Sequence, residues 1–181
     1  MARDGASTYV PPMHSPEVLV LHGSPGSGKT TLARAVSELL RASEVAHGVI
    51  DLDDLNMVYP FQPRTFARDN LKAIWPNYAA VEGLKLILPT VIADREELDQ
   101  LRATVPGARF LVCELTAPEA ALKARVTERE PNAYWQEKLR DFVELFLSRT
   151  DLEEIRDFAV STHDRSIEAS AREVITRSGW S

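Results

Sequence analysis

The sequence predicts an α/β fold, a parallel β-sheet with helices on both faces and right-handed crossovers between strands. Three observations predict it. Short apolar runs alternate with longer amphipathic stretches from residue 17 to the C-terminus. Most of these runs are continuously apolar rather than alternating, as suits parallel strands covered on both sides. A glycine-rich loop joins the first run to the first amphipathic stretch.

The elements follow in order. Residues 1–16 hold Gly5, Ser7, Thr8 and three prolines without periodicity, and read as a flexible or loosely docked tail ahead of one domain at 17–181. Strands are predicted at 18–21, 49–52, 84–92, 110–115 and 158–161; the second ends in acids and the third contains Pro89. The first helix, 29–41, carries Leu32, Val36, Leu39 and Leu40 at helical spacing. A second, 65–82, carries Leu71, Ile74, Tyr78 and Val81, and a short third spans 96–103. The helix at 118–129 opens on Pro118 with Thr116 as a possible cap. Long and short amphipathic helices follow at 133–149 and 166–177, the latter with Gly179 where a glycine stop belongs.

Composition narrows the classes. A chain of 181 residues makes one domain with short additions, and 44% hydrophobic with 27% charged residues excludes wholesale disorder. The single cysteine, Cys113, rules out an internal disulfide and fits a reducing, cytoplasmic compartment. No stretch approaches about 18 apolar residues, which argues against a membrane span. The first sixteen residues have no apolar core, so they do not read as a signal peptide. The net charge of −6 speaks against a general nucleic-acid binder, so any bound anion needs local positive groups. His14, His22, His47 and His163 show no metal-ligand spacing, and the oligomeric state stays open.

Gly23, Ser24, Pro25, Gly26, Ser27, Gly28, Lys29 and Thr30 match G-x-x-x-x-G-K-[ST], with Thr31 directly after. Three of the eight glycines lie in this loop. A triphosphate wrapped by backbone N–H groups needs them, because side chains would block its approach. Lys29 suits the β- and γ-phosphates, Thr30 offers a hydroxyl to Mg²⁺, and both open a helix whose N-terminus favours anions. The chain has no Asn-Lys-x-Asp, no Asp-x-x-Gly and no LSGGQ-like element. It is also short for a helicase or ring ATPase, which leaves a small-molecule kinase as the best reading.

Asp51 and Asp53 sit at the carboxyl end of the second strand, the ligand edge of such sheets, and share a side if the strand persists. One acid could orient Mg²⁺ waters and the other accept a proton from a substrate hydroxyl; a solvated strand end with an Asp54 cap is the alternative. Arg125 and Arg129 share a helix face and could close over a transferring phosphoryl group, or make ordinary surface pairs. Arg64, Arg68 and Trp75 fall within about 40° of one another at 100° per residue, either a wall for the acceptor or an arginine edge beside a core tryptophan.

These residues carry a resemblance. The glycine-rich loop, the Asp51-Leu52-Asp53 triplet and the arginine-bearing stretch resemble small P-loop kinases, a group with adenylylsulfate, shikimate and gluconate kinases and antibiotic phosphotransferases. Residues 68–78, and Ala171 to Val174 with Gly179 and Trp180, are similar to actinobacterial proteins known as adenylylsulfate-kinase-like or ATP-binding. The resemblance spans about residues 17–180. It implies a P-loop three-layer sandwich with a five-stranded parallel sheet in the order 2-3-1-4-5. It implies ATP and Mg²⁺ as cofactors and transfer of the γ-phosphoryl group to a small-molecule hydroxyl. Lys29 and Thr30 then match the phosphate and Mg²⁺ positions, Asp51 and Asp53 the acidic pair at metal and acceptor, Arg125 and Arg129 the lid. Thr162, in the loop 162–166, matches the region near adenine. The third strand runs into Thr90-Val91-Ile92-Ala93-Asp94, without the glycine-rich shikimate motif, and the adenylylsulfate signature is missing, so the acceptor is open. The alternatives are a nucleotide-binding regulatory or hydrolytic protein without an acceptor, and a toxin-type kinase of sugar nucleotides.

Overall fold

The apolar runs of the three inner strands are continuous because those strands bury both of their faces. In the computed structural model, which describes residues 15–180, β1 (Glu17–His22) sends Val18 and Val20 to one side and Leu19 and Leu21 to the other; all four are buried. Beyond it lie α1 (Lys29–Ala42), β2 (His47–Val49), α2 (Thr65–Ala79) and β3 (Lys85–Pro89). Then come α3 (Arg95–Thr104), β4 (Arg109–Thr116), α4 (Glu119–Arg129), α5 (Ala133–Leu147), α6 (Leu152–Ile155), β5 (Phe158–Ser161) and α7 (Ile167–Ser178). The five strands are parallel in the order β2-β3-β1-β4-β5, as the resemblance implied.

Two cores result. On one face α1 and α7 cover Leu19, Leu21, Ile87 and Leu115, with Leu32, Val36 and Val174 pointing inward. On the other, α2, α3 and the short α6 cover Val18, Val20, Leu86 and Leu88 through Leu71, Leu98 and Ile155. Each fully buried side chain of this size contributes roughly 1.5–3 kcal/mol by leaving water. A satellite cluster of Leu122, Val126 and Val143 joins α4 to α5 at the edge where the strands end. Among the described residues no helix is long and apolar enough to cross a membrane.

The expected tail, residues 1–16, lies outside the described residues up to residue 14; Pro16 already accepts from the Arg109 N–H at 2.9 Å. The second strand departs from expectation: it is His47–Val49, not 49–52. The main chain still runs beside β3, with the N–H groups of Ile50 and Leu52 donating to Ile87 and Pro89 at 3.0 and 3.3 Å. The rung between them would need an N–H from Pro89, which has none, so the regular ladder stops. The same proline ends the third strand, expected to reach residue 92. Thr116 is a strand residue; Pro118 itself occupies the cap position of α4. Ser166 caps α7 by accepting from the Ala169 N–H, and Gly179 closes that helix at φ 73°.

Candidate functional site

The loop between β1 and α1 follows from its glycines. At Gly23 an added Cβ would lie 2.7 Å from the Leu115 carbonyl oxygen; at Gly26 (φ 79°) it would lie 2.6 Å from that of Leu122. The loop is therefore pressed against β4 and α4, with no room for a side chain at either glycine. Lys29 reaches back over it, donating to the carbonyls of Gly23 and Ser24 at 2.8 and 3.1 Å. Burial lowers the Lys29 pKa to about 8; Arg129 pushes the same way, while Asp53 and Asp51 oppose it.

Thr30 donates its hydroxyl to the Asp51 carboxylate at 2.8 Å, and the other Asp51 oxygen accepts from the Asp53 N–H at 3.1 Å. This pair fits Mg²⁺, which takes one or two protein oxygens and completes its shell with water and phosphate. Among the described residues no group of three or more His, Cys, Asp or Glu side chains forms a dedicated metal cage. Asp53 stands farther along the edge. Burial and the Asp51 charge raise its pKa, and Lys29 and Arg64 counter them.

Three cavities line this edge. One of about 180 Å³ lies over the loop and is bounded by Lys29, Thr30, Asp53, Val91 and Arg129. A second, about 270 Å³, shares Gly26, Gly28 and Thr31 with the first and continues to Arg125, Thr162 and Arg165. A third, about 90 Å³, shares Asp53 and Val91 with the first and lies among Asn56, Arg64, Arg68, Thr90 and Glu97. The three cavities are neighbours along this edge, and Asp53 lines both the first and the third.

The sequence-predicted residues divide accordingly. Gly26, Gly28, Lys29, Thr30, Thr31 and Asp53 meet at the central cavity together with Pro25 and Arg129. Arg125 stands apart from Arg129: it donates to the Gly26 carbonyl at 3.2 Å, the Thr162 hydroxyl at 3.1 Å and the Thr162 carbonyl at 2.8 Å. It ties the glycine loop to the loop after β5. Arg64 and Arg68 do reach the third cavity, but both bind Glu97. Trp75 does not join them. It packs in the core with Leu71 and Leu101 and donates its indole N–H to the Pro106 carbonyl at 3.1 Å. A shared azimuth fails here because eleven residues of helix carry Trp75 about 16 Å along the axis from Arg64. Tyr59 and Phe61 are exposed.

Sequence reasoning missed four contributors. Arg165 lines the second cavity and pairs with Glu173; Asn56 and Thr90 line the third. Glu97 reads as the fourth residue of a capping box, and Asp94 does cap α3 by accepting from the Glu97 N–H at 2.8 Å. The Glu97 carboxylate, however, turns to Arg64, Arg68 and the Ala93 N–H. His22, at the end of β1, is wholly buried; its Nδ1 accepts from the Ile92 N–H at 2.9 Å and its ring lies 5.2 Å from that of Phe146.

A phosphate-cradling loop between the central strand and a helix, at the carboxyl edge of a 2-3-1-4-5 parallel sheet, defines a P-loop protein with the fold of the small P-loop kinases. Over residues 18–147 the chain matches the AAA domain family and belongs to it. No curated protein matches the chain. Among solved structures it is similar to the Mycobacterium tuberculosis APS kinase in complex with AMPPNP and APS, with 21% identity and a TM-score of 0.61, covering 92% of this chain and 98% of that one. A gluconokinase from Sinorhizobium meliloti 1021 aligns at 21% identity and a TM-score of 0.58, covering 90% of this chain and 93% of the other. Shikimate kinase from Acinetobacter baumannii, in complex with shikimate, aligns at 18% identity and a TM-score of 0.59 over 91% of this chain and 94% of its own. At these identities the likeness is one of fold.

Proposed function

We propose that this chain is an ATP-dependent phosphotransferase that moves the γ-phosphoryl group of ATP to a hydroxyl of a small molecule. The observation that carries the reading is that one residue, Asp53, borders both the cavity over the glycine loop and the neighbouring cavity beyond it. The triphosphate lies on residues 23–31, with its nucleoside towards Arg125, Thr162 and Arg165. Mg²⁺, held at Thr30 and Asp51 with the phosphates, supplies charge neutralisation when bound. Lys29 turns from its own loop carbonyls to the β- and γ-phosphate oxygens, and Arg129 faces the same charge.

Asp53 holds the acceptor hydroxyl and takes its proton. The acceptor oxygen forms a bond to the γ-phosphorus as the bond to the β–γ bridging oxygen breaks, and ADP leaves. Burial and Asp51 make Asp53 a stronger base than an exposed carboxylate. Placement in line and charge stabilisation supply most of the rate.

The test has two parts. Mg-ATP at 100 times its dissociation constant stabilises the folded chain by about 2.7 kcal/mol, and Lys29→Ala loses most of that shift while remaining folded. A metabolite extract incubated with Mg-ATP then yields a phosphorylated product with the wild type and none with Lys29→Ala. A melting temperature indifferent to saturating Mg-ATP would sink the reading.

A further inference from the structure

The third cavity restricts the chemistry of the acceptor. Its two cations are already spent on the protein. The Oε1 of Glu97 accepts from Arg64 Nε at 2.9 Å and Arg68 Nη1 at 2.8 Å; Oε2 accepts from Arg64 Nη2 at 3.2 Å and the Ala93 N–H at 2.6 Å. Two further donations go to protein: Arg68 Nη2 to Gln100 at 2.8 Å and Arg64 Nη2 to the Val91 carbonyl at 2.6 Å. The Glu97 side chain is only 13% exposed, so an anion that drew the arginines away would leave a carboxylate short of partners in a poorly solvated place.

The formal charges of the cavity cancel, Asp53 and Glu97 against Arg64 and Arg68, with Asp51 and Asp54 close by on the acid side. Three acceptor groups of the cavity lack a strong protein donor. Asn56 Oδ1 is buried without a partner among the described residues, the Asp53 carboxylate faces the space, and the Thr90 hydroxyl makes only a 3.4 Å contact with the Val91 carbonyl. Leu52, Ala67, Ile92 and Leu101 form the apolar remainder of the wall. A volume of about 90 Å³ is small beside the 300–1,000 Å³ of most ligand pockets.

We propose that the acceptor is a small non-anionic polyol, whose hydroxyls donate to Asp53 and Asn56, and that the Glu97 carboxylate excludes carboxylates, sulfates and phosphate esters by holding Arg64 and Arg68. This rests on the phosphotransferase reading of the same site. Glu97 here is a specificity residue: it does not touch the reacting atoms, and it sets the charge the acceptor meets.

The experiment compares matched probes on the full chain with Mg-ATP: glucose, glucosamine and myo-inositol against gluconate, shikimate and glucose 6-phosphate, with product read by mass spectrometry. Transfer to a member of the first set, with kcat/KM at least about tenfold above every anionic probe, is expected; transfer favouring an anionic probe overturns the proposal. Glu97→Gln frees one positive charge and should raise the anionic-to-neutral ratio about tenfold, which a loss of general packing would not do. A ratio unchanged in folded Glu97→Gln overturns the role of Glu97, and the wild-type panel stands without that variant should it fail to fold.

Sulfate titrated calorimetrically into wild type saturated with Mg–AMP-PNP reads the cavity without turnover. No saturable heat is expected; binding that Arg64→Ala abolishes overturns the exclusion of anions. If Mg–AMP-PNP itself does not bind, the phosphotransferase reading fails, and the difference between wild type and Arg64→Ala towards sulfate still decides the charge of the cavity.

Discussion

His22 makes this fold acid-sensitive in a way that can be measured on one side chain. It is wholly buried, and its Nδ1 accepts from the Ile92 N–H, so in the neutral ring the proton sits on Nε2. Protonation would put a second N–H against that of Ile92. Burial, with Arg149 and Lys29 close by and Asp151 only partly offsetting them, lowers its pKa to about 3 from 6.5. The unfolded chain therefore binds a proton that the folded chain refuses. The stability tied to neutral His22 is fully present above pH 6.5 and is lost as the pH falls towards 3. Below pH 6.5 the slope approaches about 1.4 kcal/mol per pH unit, and the total loss between pH 7.5 and pH 5 is about 2 kcal/mol. His22→Asn keeps an oxygen for the Ile92 N–H and removes the titration. Urea unfolding of both proteins, followed by tryptophan fluorescence at several pH values over that range, gives the comparison. The wild type should lose about 2 kcal/mol more than the variant, the acids common to both cancelling. Parallel curves would refute the reasoning, since they would mean that His22 titrates alike in the folded and unfolded chains.

Three more outcomes are expected. Asp53→Asn should keep Mg-ATP affinity and lose about 10²–10⁴ in transfer, whereas Asp51→Asn should raise the Mg²⁺ requirement, because it bonds Thr30 before any acceptor arrives; nucleotide titrations with and without Mg²⁺ separate them, and weakened Mg-ATP binding in Asp53→Asn would move that acid to the metal side. Gly26→Ala drives a Cβ to 2.6 Å from the Leu122 carbonyl oxygen at φ 79° and should cost about 1–3 kcal/mol and weaken nucleotide binding, with an unchanged melt counting against the docking of α4 on the loop. Trp75→Ala should cost about 3–5 kcal/mol in urea unfolding and leave the acceptor KM of the folded fraction alone; a changed KM at native stability would return the indole to the acceptor wall.

The layered fold and the phosphate loop were legible in the sequence because their causes are local. Runs such as Val18 to Leu21 are apolar at every position only if both faces are covered, and Gly23 and Gly26 answer to backbone contacts that admit no Cβ. Thr30 and Asp51 were each expected on the metal side, but the hydrogen bond between them, 21 residues apart in the chain, comes from the edge of the sheet that brings them together. What lay beyond local reach was every role set by distance along a helix or across the sheet. Helical azimuth put Trp75 with Arg64 and Arg68, but axial distance takes it into the core. Arg125 and Arg129 share a face, yet one bonds Gly26 and Thr162 while the other borders Lys29. Glu97, 33 residues from Arg64 and 29 from Arg68, has no sequence pattern that joins it to them. The packing of α3 against α2 brings that carboxylate to the arginines, and so the charge offered to an acceptor was decided by tertiary structure, because electrostatic pairing depends on separation in space and not along the chain.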